Sequence, residues 1–286
     1  MKSELFYRKL EKCDLCPRNC GVNRLMGEKG ACGVANSPVV SSWGPHFGEE
    51  RILVGRGGSG TVFFTYCNLK CVYCQNYEIS QLGIGKEITV EDLLRIFTEL
   101  QDMGVENLNL VTPTHQIPFI VDAFERMEKE IPVVYNCGGY ESVDTIISLE
   151  GFVDIYMPDF KYSDPELGEK LSGVKDYPRF ALEALKVMID QMGEPVIRNG
   201  VMKKGVLVRH LVLPGFLEDS FGVIDLLSTL EPKPLVNIMA QFYPAYRAKE
   251  YGLDRFITRD EYLKVVEYAK KKKLNLIEVE RWLRWL

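Results

Sequence analysis

The chain has 286 residues, of which 46% are hydrophobic and 26% charged, a globular balance that excludes disorder over most of the length and is ample for one barrel plus a small appendage. Its formal net charge of -5 lacks the basic excess that backbone-driven binding of nucleic acid requires. The first ten residues scatter charges where a secretory signal needs an apolar stretch, and every later apolar run stops short of the roughly 20 residues that cross a bilayer, so a cytoplasmic protein with no membrane partner and reduced thiols is expected.

Residues 1–50 are rich in Cys, Gly and Asn and poor in periodic apolar residues. That is the texture of a small Cys-rich, metal-binding module, and a boundary near residue 50 separates it from a domain spanning 51–286. Seven of the eight cysteines fall into two tight clusters, leaving Cys137 alone. In a reducing compartment such clusters point to metal rather than to disulfides. Cys13, Cys16, Cys20 and Cys32 form a C-x2-C-x3-C-x11-C set, enough thiolates to close a tetrahedral zinc site or to saturate a second iron–sulfur cluster. Spacing does not choose between these, and unliganded thiols are the third reading. His46, Glu49 and Glu50 are of metal-ligating type, yet such a loop trio is expected to be polar surface. The glycine-rich run at 55–60 lacks the Gly-Lys-Ser/Thr ending of a phosphate loop and precedes a strand instead of opening a helix, so it is expected to be a turn.

From about residue 60 onward, β-rich segments alternate with segments of helical period, which predicts a parallel sheet covered by helices. The predicted strands are 61–67, 107–112, 133–137, 153–157, 206–213 and 236–242. A helix starts after Thr89, where Thr89 and Asp92 form a capping box, and stops at Gly104. Further helices are predicted at 116–129, 142–149, 177–192 and 219–230, and a last one opens with the box Thr258–Glu261. The lysine run 270–273 ends that helix, where cations complement its dipole.

The segment Cys67-Asn68-Leu69-Lys70-Cys71-Val72-Tyr73-Cys74-Gln75-Asn76 leaves the sheet at the C-terminal end of the first of these strands, where α/β folds place their sites. Three thiolates at this spacing can ligate three irons of a cuboidal cluster whose fully ligated form takes four, leaving one iron open. A three-Cys zinc site or a group of free thiols is the plainer reading of the same residues.

The pattern C-x3-C-x-aromatic-C resembles the signature of the radical S-adenosylmethionine (SAM) superfamily. The likeness extends over nearly the whole chain to proteins related to pyruvate formate-lyase activating enzyme, through Gly58-Ser59-Gly60-Thr61, Asn109-Leu110-Val111-Thr112-Pro113-Thr114-His115, Tyr135-Asn136-Cys137-Gly138-Gly139, Asp154-Ile155-Tyr156-Met157-Pro158-Asp159-Phe160-Lys161 and Arg209-His210-Leu211. The resemblance implies an α/β fold, a partial (β/α)6 TIM-like barrel, with a [4Fe–4S] cluster on Cys67, Cys71 and Cys74 and SAM on the open iron. It implies reductive cleavage of SAM to a 5′-deoxyadenosyl radical that takes hydrogen from a protein, peptide or small-molecule substrate, an activase of glycyl-radical enzymes being one form. An electron donor such as flavodoxin or ferredoxin is implied as partner. Tyr73 is expected against the adenine, and Asn76, Thr112, Thr114, His115, Asn136, Asp159, Lys161 and Arg209 are the other expected cofactor contacts, Arg209 being suited to a carboxylate by its planar fork. The Gly-Gly-Glu motif that activating enzymes commonly carry after the second strand is absent, and Thr112 and Thr114 stand in its place. A non-catalytic iron–sulfur or zinc protein of electron transfer or assembly is the alternative.

Overall fold

The computed structural model describes residues 2–286. Its strands, in chain order, are β1 (Val39–His46), β2 (Ser59–Phe64), β3 (Lys86–Glu87), β4 (Leu108–Val111), β5 (Val133–Cys137), β6 (Ile155–Pro158), β7 (Val196–Arg198), β8 (Val201–Leu211), β9 (Leu235–Met239) and β10 (Asn275–Ile277). They form one ten-stranded sheet in the order β10-β9-β8-β6-β5-β4-β2-β1-β3, with β7 on β8 alone. The six strands β2, β4, β5, β6, β8 and β9 run parallel to one another and correspond to the six that the alternation predicts. The two ends of the sheet do not meet, so the barrel is partial.

Every position of β5 and β6 is buried, because a parallel sheet covered by helices leaves no wet face and its strands become continuous apolar runs. The helix Val90–Asp102 begins where the sequence predicts: Thr89 Oγ1 accepts from the Asp92 N–H at 3.0 Å, and the Asp92 carboxylate accepts from the Thr89 N–H at 3.2 Å. Its buried Leu93, Ile96, Phe97 and Leu100 form an i, i+3, i+4, i+7 stripe, and Phe97 stacks on Phe124 at 4.9 Å between ring centroids. The predicted helix at 116–129 is shorter, Ile117–Phe124, and is buried on all sides. It stops because the following turn tightens, with Arg126 N donating to Ala123 O at 3.1 Å.

Residues 2–38 pack onto this frame instead of standing apart from it. The helix Lys2–Arg8 lies on Ile117–Phe124, with Tyr7 edge-on to Phe119 at 6.0 Å and Tyr7 Oη donating to Asp122 at 2.9 Å. Phe6, Leu10, Leu15 and Val34 join the same hydrophobic core as the barrel strands. Arg24, wholly buried, donates to the backbone oxygens of Ala35 and His115 at 2.8 and 2.9 Å. Among the described residues, no helix is long and apolar enough to cross a membrane.

Candidate active site at the barrel mouth

The C-terminal ends of the parallel strands surround a cavity of about 270 Å³. Cys67, Cys71 and Cys74 form one part of its wall, and Thr112, Asn136, Asp159, Lys161 and Arg209 reach it from the ends of β4, β5, β6 and β8. Tyr73 and Asn76 also line it. Tyr66, just before Cys67, and Thr112, just after β4, hold φ of +72° and +60°. A β-branched residue in that region is strained, and strain of this kind concentrates at functional sites.

The three thiols are free, and each has its own hydrogen-bond partner. Leu69 N donates to Cys67 Sγ at 3.3 Å, Ser172 Oγ donates to Cys71 Sγ at 2.9 Å, and Cys74 Sγ lies 3.1 Å from Ser80 Oγ. Among the described residues, no three His, Cys, Asp or Glu side chains are already drawn together as metal ligands. Burial, reinforced by Cys71, pushes the Cys67 thiol up to about 12, and burial also raises Cys71. Thiols so buried ionise only against a cation, and a metal supplies one. Three thiols from one short segment on one wall of a cavity, at the spacing that ligates three irons, fit a cluster with one open iron; Cys137, the fourth cysteine of the lining, comes from the end of β5.

A fixed charge network faces them. Asp159 accepts from Lys161 Nζ at 2.7 Å and from Arg209 Nε at 3.1 Å, while Arg209 Nη2 donates to Asn136 Oδ1 at 2.6 Å. Burial would raise Asp159, but Lys161 and Arg209 outweigh it and hold the carboxyl below its ordinary value. For Lys161 and Arg209 burial works downward, and Asp159 reverses it, so both cations persist. Arg209 Nη1 also lies 3.6 Å from Glu49 Oε2.

Two groups of residues depart from expectation. Thr114 and His115 do not line the cavity. Thr114 Oγ1 donates to Glu141 Oε1 at 2.7 Å, and His115 Nε2 bonds Thr65 O at 2.7 Å from the far side of the strand ends. The tight turn Thr114–Gln116 carries both inward, which residue type alone could not foretell. Glu49 and Glu50 are not polar surface: Glu49 meets Arg209, and Glu50, 4% exposed, accepts from Asn237 Nδ2 at 2.8 Å. Their backbone follows β1, a strand between β2 and β3 that sequence periodicity does not reveal. The cavity further includes Cys137, Gln75 and Gln241, with Gln75 Nε2 donating to Gln241 O at 2.9 Å. Cys137 ends β5 and Gln241 lies just beyond β9, so the strand-end rule could have found both.

Residues 61–227 match the family described as the Radical SAM superfamily. The chain belongs to this superfamily. Membership implies a [4Fe–4S] cluster and SAM, and it makes the chain one of a family of enzymes. An uncharacterized protein of Methanocaldococcus jannaschii, MJ0674, is 35% identical over 97% of this chain and 80% of its own length. Pyruvate formate-lyase 1-activating enzyme of Escherichia coli K12 is 27% identical over 58% of this chain and 65% of its own. In the crystal structure of Streptococcus suis SuiB bound to precursor peptide SuiA, 46% of that chain matches 74% of this one with a TM-score of 0.51 and 16% identity, a likeness of fold alone.

Proposed function

We propose that Cys67, Cys71 and Cys74 hold the [4Fe–4S] cluster, that the adjoining cavity takes SAM, and that hydrogen is abstracted from a peptide or a segment of a partner protein. The observation that carries this is the position of three thiols and a fixed cation pair on the walls of one cavity at the strand ends. When bound, the cluster supplies an electron and SAM the carbon radical; the protein supplies position and dryness. Arg209 and Lys161, oriented by Asp159, offer the SAM carboxylate a place to dock. Tyr73 gives the adenine a wall, with Asn76 and Asn136 beside it. In the stretch that replaces Gly-Gly-Glu, Thr112 reaches the cavity and takes the amino group, whereas Thr114 and His115 turn elsewhere.

Two comparisons favour a polypeptide substrate: a relative named for activating pyruvate formate-lyase, and a fold neighbour solved with a precursor peptide. A one-electron donor of the flavodoxin or ferredoxin class completes the cycle. Anaerobic reconstitution with iron and sulfide, followed by dithionite and SAM, should release 5′-deoxyadenosine and methionine, and Cys71→Ala should release neither. A reducible cluster that leaves SAM intact, with no SAM-dependent change in its paramagnetic resonance spectrum, would point instead to a non-catalytic iron–sulfur protein.

A further inference from the structure

A second pocket lies within the N-terminal segment. Its lining brings together all four N-terminal thiols, Cys13, Cys16, Cys20 and Cys32, with Arg18, Arg24 and His115. Residues distant in sequence meet here: Arg24 Nη2 donates to His115 O at 2.9 Å, and Arg18 Nε donates to Asn68 O at 2.8 Å.

Among the described residues, eight buried side-chain nitrogen or oxygen atoms lack a hydrogen-bond partner, and three of them, Arg18 Nη2, Arg24 Nη1 and His115 Nδ1, belong to residues of this one pocket. Arg24 is 0% exposed and His115 2%. No carboxylate among the described residues pairs with Arg24, and its hydrogen bonds go to neutral backbone oxygens. A guanidinium so placed carries a full charge out of water without a counter-ion, at a cost of several kcal/mol. Neutral thiols do not offset that cost. Four thiolates on a divalent metal, or on an oxidised cubane, carry about two negative charges and present sulfur acceptors to both arginines.

The imidazole also leaves one nitrogen unsatisfied. His115 Nε2 faces the carbonyl of Thr65 at 2.7 Å, so that nitrogen carries the hydrogen and Nδ1 is the one left without a protein partner. A ring nitrogen anchored to a backbone oxygen is the usual setting of a histidine beside a metal. At Cys20, Ala31 N already donates to Sγ at 3.3 Å, and a side chain in place of Gly30 would come within 2.9 Å of that sulfur.

We infer that Cys13, Cys16, Cys20 and Cys32 hold a second, anionic metal–thiolate centre whose counter-ions are Arg18 and Arg24. Zinc and an iron–sulfur cluster share this chemistry, and composition separates them. This inference stands apart from the SAM reading, because none of its ligands lines the barrel cavity.

The test begins with the full chain, purified without oxygen, as wild type and as the triple variant Cys67→Ala, Cys71→Ala, Cys74→Ala. The variant should retain either about four iron and four sulfide per chain or about one zinc; retention of neither metal overturns the inference. The wild type should carry that complement in addition to its barrel cluster, so the result does not hang on the variant's folding. Arg24→Met and Arg18→Met test the charge pairing. Each should lose the retained metal to a chelator roughly tenfold faster or more, and rates equal to wild type for both remove the arginines from the site. SAM cleavage by the wild type is unaffected by either outcome, so a failure here is distinct from a failure of the proposed activity.

Discussion

Ser172 shows how a residue without chemistry of its own can tune the site. Tyr73 Oη lies 2.7 Å from Tyr162 Oη, which lies 2.7 Å from Ser172 Oγ, which donates to Cys71 Sγ at 2.9 Å. Because the last bond must donate to sulfur, each hydroxyl hands its hydrogen forward, and such chains strengthen cooperatively. A hydrogen bond to a cluster thiolate favours the more negative, reduced state and raises its potential. Ser172→Ala should therefore lower the potential by some tens of millivolts, about 60 mV if the bond changes the one-electron equilibrium tenfold. Tyr73→Phe should shift it less and in the same direction. An unchanged midpoint in a redox titration followed by paramagnetic resonance would remove the chain from the mechanism. Glu141 offers a second test. Fully buried, it accepts from Thr114 at 2.7 Å and from Tyr135 at 3.0 Å, and burial lifts it from 4.5 to about 7 despite those bonds. Between these two values the folded chain keeps a proton that the unfolded chain has lost, so stability falls as pH rises and levels off above 7. The difference between wild type and Glu141→Gln, measured by denaturant unfolding, should change by on the order of 3 kcal/mol from pH 4.5 to 7, and a flat difference curve would refute the assignment. Sequence reveals neither effect. Thiol spacing and polar residues at strand ends are local signals, readable because chemistry fixes residue type. The partners of Ser172, Glu141, Glu49 and His115 are set by packing between distant segments.

At the scale of elements, the loop after β5 packs tightly against the backbone that follows β6. Gly139 has φ of +81°, and a Cβ there would lie 2.1 Å from Asp159 O. Gly151 has φ of +87° with nothing within 4 Å of its Cβ position. Both positions disfavour alanine through backbone strain of about 1 kcal/mol, but only Gly139 adds a collision with backbone that cannot rotate away. Gly139→Ala should therefore cost at least about 2 kcal/mol more than Gly151→Ala and displace Asp159 from Arg209; equal losses in thermal unfolding would mean that the loops yield. The longer elements are legible in sequence for the same local reasons. The box at Thr258 and Glu261 opens the helix Arg259–Lys271, and Tyr177–Met192 matches its predicted bounds. The helix Pro165–Ser172, which carries Ser172, escapes sequence periodicity although Asp164 caps it and Pro165 occupies its first turn, since eight residues give too short a stripe to stand out. β1 escapes it because Gly44 and Pro45 interrupt the strand's alternation.

For the molecule as a whole, the N-terminal segment presents a contrast between composition and packing. Its cysteines and glycines mark it off in sequence, yet it supplies part of the barrel's own core. Phe6 and Leu10 are 0% exposed, Leu15 and Val34 1%. Burying side chains of this size stabilises by roughly 1.5–3 kcal/mol each. Four of them contribute about 6–12 kcal/mol, comparable with the whole stability of a typical domain. Polar ties run the same way: Thr145 Oγ1 donates to Leu15 O at 2.8 Å, and Tyr7 to Asp122 at 2.9 Å. A chain beginning at residue 37 would expose Phe119 and leave these groups unpaired, so it should not unfold cooperatively, as followed by circular dichroism against temperature. The full chain with Cys13, Cys16, Cys20 and Cys32 all changed to Ala keeps every apolar anchor and should retain a cooperative transition at lower temperature. If the truncated chain melts as sharply as the four-Ala chain and within a few degrees of it, the apolar anchors are dispensable and the segment is held on by its thiols alone.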